Sequence, residues 1–274
     1  MMMRSILITG CSTGIGYQTA HALSERGWRV FASCRKPEDC ARLRDEGLAS
    51  PLIDYERPTT IEAGLAEMLA ATGGRIDALF NNGAYAIPGL VEDLPTDALR
   101  ATFEANFFGW HDLTRRVIPA MRAQGHGRIV QNSSVLGFAA APWRGAYNAT
   151  KFALEGLTDT LRMEMRGTEI EAVLIEPGPI TSRFRANARA QFERWIDWEA
   201  SPRRADYERL MDKLYRDNTA TFELPPDAVT KVLIHALEAK RPRARYRVTV
   251  PTKLGAAMKR VLPTRAMDRI LSNS

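Results

Sequence analysis

The chain has 274 residues, of which 45% are hydrophobic and 26% charged, a balance that places it among ordinary globular proteins large enough to fold without disulfide staples. Its formal net charge of +6 is gathered at one end, where ten Lys or Arg stand against the single acid Asp268 between positions 240 and 274. A nucleic-acid groove across the whole domain is thereby excluded, as is a membrane-spanning helix, since no apolar run approaches the ~18 residues required.

Met1-Met2-Met3-Arg4 leads directly into the apolar run 5–9, which reads as a buried strand and leaves no room for a signal peptide, so a cytoplasmic location is expected. A glycine loop and a helix through 19–23 follow. Strands are expected at 29–33, at a segment ending on Leu52-Ile53, and at 76–80, which stops at Asn81-Asn82-Gly83. A long helical pattern covers 96–121. Strand 128–131, a helix over about 147–165, strand 172–175 and a last strand at 245–250 complete the series. Such alternation implies parallel strands joined by right-handed crossovers. The expectation is one α/β domain over 1–274, a doubly wound, mostly parallel, seven-stranded Rossmann-type sheet flanked by helices. Between 183 and 225 the regularity breaks, and Phe184, Phe192, Trp195 and Trp198 stand among many charges. Insertions after the C-terminal ends of strands face the ligand crevice, so 183–225 is read as a substrate lid. The stretch 252–274 is read as a basic, helical C-terminal tail. Three cysteines and four scattered histidines offer neither a disulfide framework nor metal-ligand spacing, and no metal is expected.

Thr9-Gly10-Cys11-Ser12-Thr13-Gly14-Ile15-Gly16 joins the first strand to the first helix. Gly10 permits a tight turn, Gly14 lets backbone approach a pyrophosphate, and Gly16 allows close helix–strand packing. The phosphates would sit on the positive helix end and its free N–H groups, and Ser12, Thr13 and Ile15 complete the loop's candidate cofactor residues. Specificity for the adenosine ribose is read at the end of the second strand, where NAD enzymes usually place an acid. Here the strand ends in Cys34-Arg35-Lys36. A guanidinium suits a 2′-phosphate, so NADP(H) is expected over NAD, with Arg35 as the reader.

Tyr147 and Lys151 are four apart on a helical pattern and share a face. Tyrosine ordinarily titrates near 10, too high for a base at neutral pH. An ammonium about 4 Å away, at an effective dielectric of ~20, is worth about 4 kcal/mol, enough to bring that value toward about 7. Ser134 closes the fifth strand thirteen residues earlier and can hold a substrate oxygen while Tyr147 transfers its proton.

The glycine loop, Asn81-Asn82-Gly83-Ala84, Asn106, Ser134, Tyr147, Lys151 and Pro177-Gly178 together resemble the short-chain dehydrogenase/reductase family over about 5–185. Within it they resemble the branch containing 17-beta-type hydroxysteroid dehydrogenases and retinol dehydrogenases. The resemblance implies an NADP-dependent oxidoreductase acting on CH–OH groups, with Asn106, Ser134, Tyr147 and Lys151 catalytic. It implies that Asn106 supports a water-mediated relay to Lys151 and that Lys151 also holds the nicotinamide ribose. Asp54 resembles the acid beside the adenine, Asn81 and Gly83 belong to the cofactor side, and Pro177, Gly178, Ile180 and Thr181 resemble the nicotinamide-side loop. The family usually reads Asn-Asn-Ala-Gly after the fourth strand, and here the last two residues are exchanged.

Expected pocket walls are Tyr85, Ile87, Phe138, Trp143 and Phe184, beside Ser134 and Tyr147. They favour a small apolar alcohol or ketone as substrate. A homodimer or homotetramer is the expected assembly, with no nucleic-acid partner. In the tail, Leu254, Met258, Val261 and Leu262 recur at helical spacing among Lys259, Arg260, Arg265 and Arg269, a pattern open to peripheral contact with anionic membrane. A helix docked on its own domain or on a subunit partner is the preferred reading. Two rival functions share the fold, a catalytically idle NADP-binding sensor and a membrane-surface interaction protein.

Overall fold

A computed structural model describes residues 3–215 and 221–272; positions 216–220 of the expected lid and 273–274 of the expected tail lie outside them. Strands β1 (Ser5–Ile8), β2 (Arg29–Ala32), β3 (Ala78–Asn81), β4 (Gly127–Asn132), β5 (Ile170–Glu176) and β6 (Arg245–Arg247) form one sheet in the order β2-β1-β3-β4-β5-β6. Every pairing is parallel. The central strands carry apolar stretches at 6–8, 78–80 and 172–175 because helices cover both faces, and all four residues of β1 are buried.

The sheet has six strands rather than seven. The segment expected to end a third strand makes only isolated parallel bridges, Phe31 to Ala49 and Cys34 to Leu52. Pro51 lies between them and has no N–H to extend the ladder. The last strand is also shorter than expected. It stops at Arg247 because Thr249 turns the chain, its side chain accepting from the Thr252 N–H to cap helix α10 (Val250–Val261). Two arginines tie this short edge strand down. Arg247 Nε pairs with Glu176 at 3.0 Å, and Arg245 reaches Glu176 at 2.9 Å and Glu155 at 3.2 Å.

Helices α1 (Gly14–Glu25) and α9 (Asp227–Glu238) bury Leu23, Val229 and Leu233 on one face of the sheet. On the other face, α3 (Pro58–Thr72) and α5 (Gly109–Gln124) bury Ile61, Leu65, Trp110, Leu113 and Val117. Helix α2 (Pro37–Asp45) follows β2. The expected helix over 96–121 is α4 (Thr96–Phe103) joined to α5 through a π-helical turn, Glu104–Phe108, a widened turn that often marks function. Helix α6 (Gly145–Glu164) carries Tyr147 and Lys151. Beyond β5, α7 (Phe184–Trp195) and α8 (Arg204–Tyr215) pack Phe192, Ile196 and Tyr207 on Tyr85 and Ile87. The tail consists of α10 and α11 (Thr264–Leu271); α10 buries Thr252, Gly255 and Ala256 and leaves Leu254 and Val261 exposed. Among the described residues, no helix is long and apolar enough to cross a membrane.

Candidate active site

The C-terminal ends of the strands open into a cleft of about 1040 Å³, at the upper limit of common ligand pockets. One end is built from the loop after β1. Gly10 and Gly14 stand at φ +67 and +65, a left-handed conformation that favours glycine. A Cβ on Gly16 would sit 2.4 Å from the Gly10 carbonyl oxygen, so helix and loop meet backbone to backbone. Thr13 precedes α1 without a side-chain cap, and no acid occupies the first turn of that helix. The helix end thus presents uncapped N–H groups and positive dipole where Ser12, Thr13, Gly14 and Ile15 line the cleft. This cradle fits a pyrophosphate. Arg35, Lys36 and Asp54 line the same end. Among the described residues no carboxylate pairs with Arg35, while Lys36 lies 3.7 Å from Glu38.

The Gly83-Ala84 exchange is accommodated. Among the described residues, the only non-glycine positions of positive φ are Trp143 and Phe222, so Ala84 needs no left-handed backbone. Glycine matters at 83 because the two loops touch: a Cβ there would meet Gly10 Cα at 3.3 Å.

At the other end, Ser134 leaves β4 in extended conformation, and its hydroxyl accepts from the Leu136 N–H at 3.1 Å. Tyr147 and Lys151 rise from the first turns of α6, and both are buried. Lys151 Nζ donates to the Asn132 carbonyl at 2.8 Å. It lies 4.2 Å from the ring centre of Trp110 and 5.5 Å from that of Tyr147. The electrostatics run opposite to the expectation from spacing alone. Burial raises the Tyr147 phenol to about 12, against a hydrogen bond from Ser134 and the charge of Arg144. Burial lowers Lys151 to about 7, with Glu155 pulling it back up. Desolvation outweighs the ammonium–phenol attraction at both groups. The phenol is therefore a proton donor at neutral pH, and two converging hydroxyls can hold a carbonyl oxygen and hand it a proton.

The lowered Lys151 value has a consequence for stability. The unfolded chain, titrating near 10.4, binds a proton that the folded chain has lost between about 7 and that value. The burial penalty is complete below pH 7 and fades as pH rises. Lys151→Met is expected to be more stable than the parent at pH 7 by a few kcal/mol, with the advantage shrinking toward pH 10. Urea denaturation across that range checks it, and a pH-independent difference would contradict the assignment.

Several expected residues take other places. Asn81 is fully buried below the cleft, accepting from Tyr55 Oη at 2.6 Å and donating to Gln131 at 2.9 Å. Its neighbour Asn82 lines the cleft and staples the glycine loop, donating to the Thr9 carbonyl at 2.9 Å and accepting from Asn132 at 2.8 Å. Asn106 is fully buried in the π-helical turn. Its amide donates to the Tyr85 carbonyl at 2.7 Å and, more weakly, to Thr150 at 3.4 Å, while its oxygen accepts from the Tyr85 N–H at 3.0 Å. The side chain is committed to the loop after β3. Pro177, Gly178 and Ile180 line the cleft, but Thr181 bonds away to Leu224, and Ser182 faces the cleft instead.

Of the expected walls, Tyr85 and Phe184 line the cleft, and Phe184 stands edge-on to Tyr147 at 5.4 Å. Ile87 belongs to the core under α7 and α8. Trp143 packs on Tyr207 at 5.2 Å, outside the cleft. Phe138 lies in reach of Gly255 on α10, and its carbonyl accepts from Lys259. Residues that spacing did not single out are Trp110, Asn132 and Arg144. Trp110 had one signal, its position four residues past Asn106 on the same helical run. It is fully buried beneath Lys151, and its indole N–H donates to the Gly83 carbonyl at 2.9 Å.

Residues 4–193 match the family model described as short chain dehydrogenase. The uncharacterized oxidoreductase YbbO of Escherichia coli (strain K12) is 40% identical over 271 residues, covering 99% of this chain and 95% of that protein. An NADPH-dependent 3-dehydrocapnine reductase of Ornithobacterium rhinotracheale is 30% identical over 281 residues, covering 98% and 96%. A crystal structure of a short-chain dehydrogenase from Streptomyces avermitilis superposes with a TM-score of 0.78 at 25% identity, covering 98% of this chain and 96% of that one.

Proposed function

The chain belongs to the short-chain dehydrogenase family and is an oxidoreductase of that family acting on CH–OH groups, and on that premise we propose that it interconverts a hydrophobic secondary alcohol and a ketone, or an aldehyde, with NADP(H), and that Tyr147 is its acid and base. The observation that carries this reading is that Ser134 and Tyr147 line one end of the cleft with the buried Lys151, whose ammonium lies 5.5 Å from the centre of the Tyr147 ring. The nicotinamide, when bound, supplies the hydride. Ser134 fixes the substrate oxygen by donating to it. Tyr147 gives that oxygen a proton in reduction and takes it back in oxidation. Lys151, held by the Asn132 carbonyl and the Trp110 face, anchors the cofactor ribose. Phe184, Leu136 and Ala188 pack around Tyr147, keep water away and offer an apolar bed for the substrate.

NADP(H) is supported by Arg35 at the adenosine end of the cleft and by the lack of an acid at the end of β2. Arg35→Asp is expected to lower the NADPH-over-NADH preference in kcat/KM by about 100-fold, the worth of a charge-assisted pair turned into a repulsion. Initial rates of oxidation of each cofactor with one apolar ketone check it, and an unchanged ratio would remove Arg35 as the reader. The same assay across a panel of apolar ketones tests the class of reaction.

A further inference from the structure

The substrate end of the cleft is less apolar than the aromatics around it suggest. Arg144 lines it, one helical turn before Tyr147, together with Arg185 and Arg189 from α7. Glu223 also lines this end, and it pairs with Arg185 at 3.5 Å. Arg189 lies 5.0 Å from the ring centre of Tyr215. Arg144 has neither kind of partner: among the described residues no carboxylate lies within ion-pair distance of it. Its charged or titratable neighbours are another cation, Arg185, and the Tyr147 phenol. Arg144, Arg185 and Arg189 are all exposed to the solvent of the cleft, and together they make this end positive.

The backbone holds Arg144 at this place. Trp143 adopts φ +65, a conformation that bulky side chains rarely take. Its ring is clamped on Tyr207 at 5.2 Å, and its carbonyl accepts from the Gly89 N–H at 3.0 Å. The adenosine end, with its own Arg35 and Lys36, is built from the opposite side of the sheet order, so Arg144 is not needed there.

We propose that Arg144 receives a carboxylate on the substrate, so that the preferred substrate is an amphiphile: an apolar chain lying along Phe184 and Leu136, a carbonyl at Ser134 and Tyr147, and a carboxylate a few atoms away. The planar guanidinium matches that group with two parallel donors. This inference rests on the reading of the site as a carbonyl reductase and adds the charge of what it reduces.

The test compares 4-oxo and 6-oxo fatty acids of about ten carbons with their methyl esters, using NADPH and three forms of the enzyme. The parent is expected to prefer the better acid over its ester by about 10- to 100-fold in kcat/KM. Arg144→Gln is expected to bring that ratio near one, chiefly by raising KM for the acid, with NADPH affinity held within about twofold. Arg144→Lys is expected to restore part of the ratio and guards against a variant that merely misfolds. In a second arm, octanoate and 1-octanol are titrated calorimetrically into the NADP(H)-loaded protein; the parent is expected to bind octanoate at least about tenfold more tightly, and Arg144→Gln to lose that margin. Equal turnover of acids and esters by the parent, or a ratio that survives Arg144→Gln, overturns the carboxylate while leaving the reductase reading in place. An Arg144-dependent preference for octanoate without turnover of any ketone sinks the reductase reading and keeps the carboxylate site. A loss of NADPH affinity in Arg144→Gln with the ratio intact moves Arg144 to the cofactor and also overturns the inference.

Discussion

Tyr147→Phe is expected to lower kcat for ketone reduction by about 10³-fold, within the range for loss of a general acid, with NADPH affinity unchanged. The substitution removes one oxygen and keeps the ring, which packs edge-on against Phe184 at 5.4 Å. The wall of the cleft therefore persists. What disappears is the proton that burial keeps on the phenol up to about 12 and one of the two hydroxyls that locate the substrate oxygen. Ser134 still accepts from the Leu136 N–H at 3.1 Å, so residual binding is expected and KM should change little. Steady-state rates with a single apolar ketone measure the effect. A kcat within about tenfold of the parent would mean that the proton comes from elsewhere.

Gly10→Ala should act at the other end of the cleft. Residue 10 stands at φ +67, where a side chain costs roughly 1–2 kcal/mol. The added methyl would also lie 2.6 Å from Gly83 Cα and 2.9 Å from Gly83 N, both backbone atoms that cannot rotate away. The two loops must part, and a displacement near 1 Å in a positioning loop can cost about 10² in rate. NADPH affinity is expected to fall by about 100-fold. Gly27→Ala is the control: φ there is +78, but nothing lies within 4 Å of the added atom. It carries the backbone penalty without the collision and should leave affinity for NADPH unchanged. Equal losses in both variants, measured by fluorescence titration, would show that strain and not contact between the loops is what matters.

The parallel sheet was readable in the chain because its inner strands are covered on both faces and so carry apolar stretches, such as 6–8 and 172–175. The segment at Leu52-Ile53 carries the same composition, yet Pro51 leaves it with bridges alone. The glycine loop was readable because each glycine answers a local demand of backbone. Side-chain direction was not. Asn81 and Asn82 are consecutive on or just past a strand, so their side chains point to opposite sides, and only the packed structure shows that Asn82 has the cleft. Residue type points Phe138 and Trp143 toward the pocket, but Trp143 turns out through a left-handed backbone and Phe138 lies under α10. The proton chemistry escapes the sequence for a different reason. Spacing brings Lys151 near Tyr147 but cannot report how deeply both are buried, and burial sets the direction of both shifts. Arg144 was invisible because its meaning lies in what it lacks, a partner.

The proposed reaction moves a hydride from NADPH to a carbonyl carbon while Tyr147 protonates the oxygen. NADPH carrying deuterium at the transferring position, incubated with an apolar ketone and the enzyme, tests it most directly through the mass of the alcohol formed. An alcohol with deuterium on the carbinol carbon is expected from the parent enzyme, and almost none in the same time from Tyr147→Phe. Unlabelled alcohol, or equal labelling by both proteins, would contradict it.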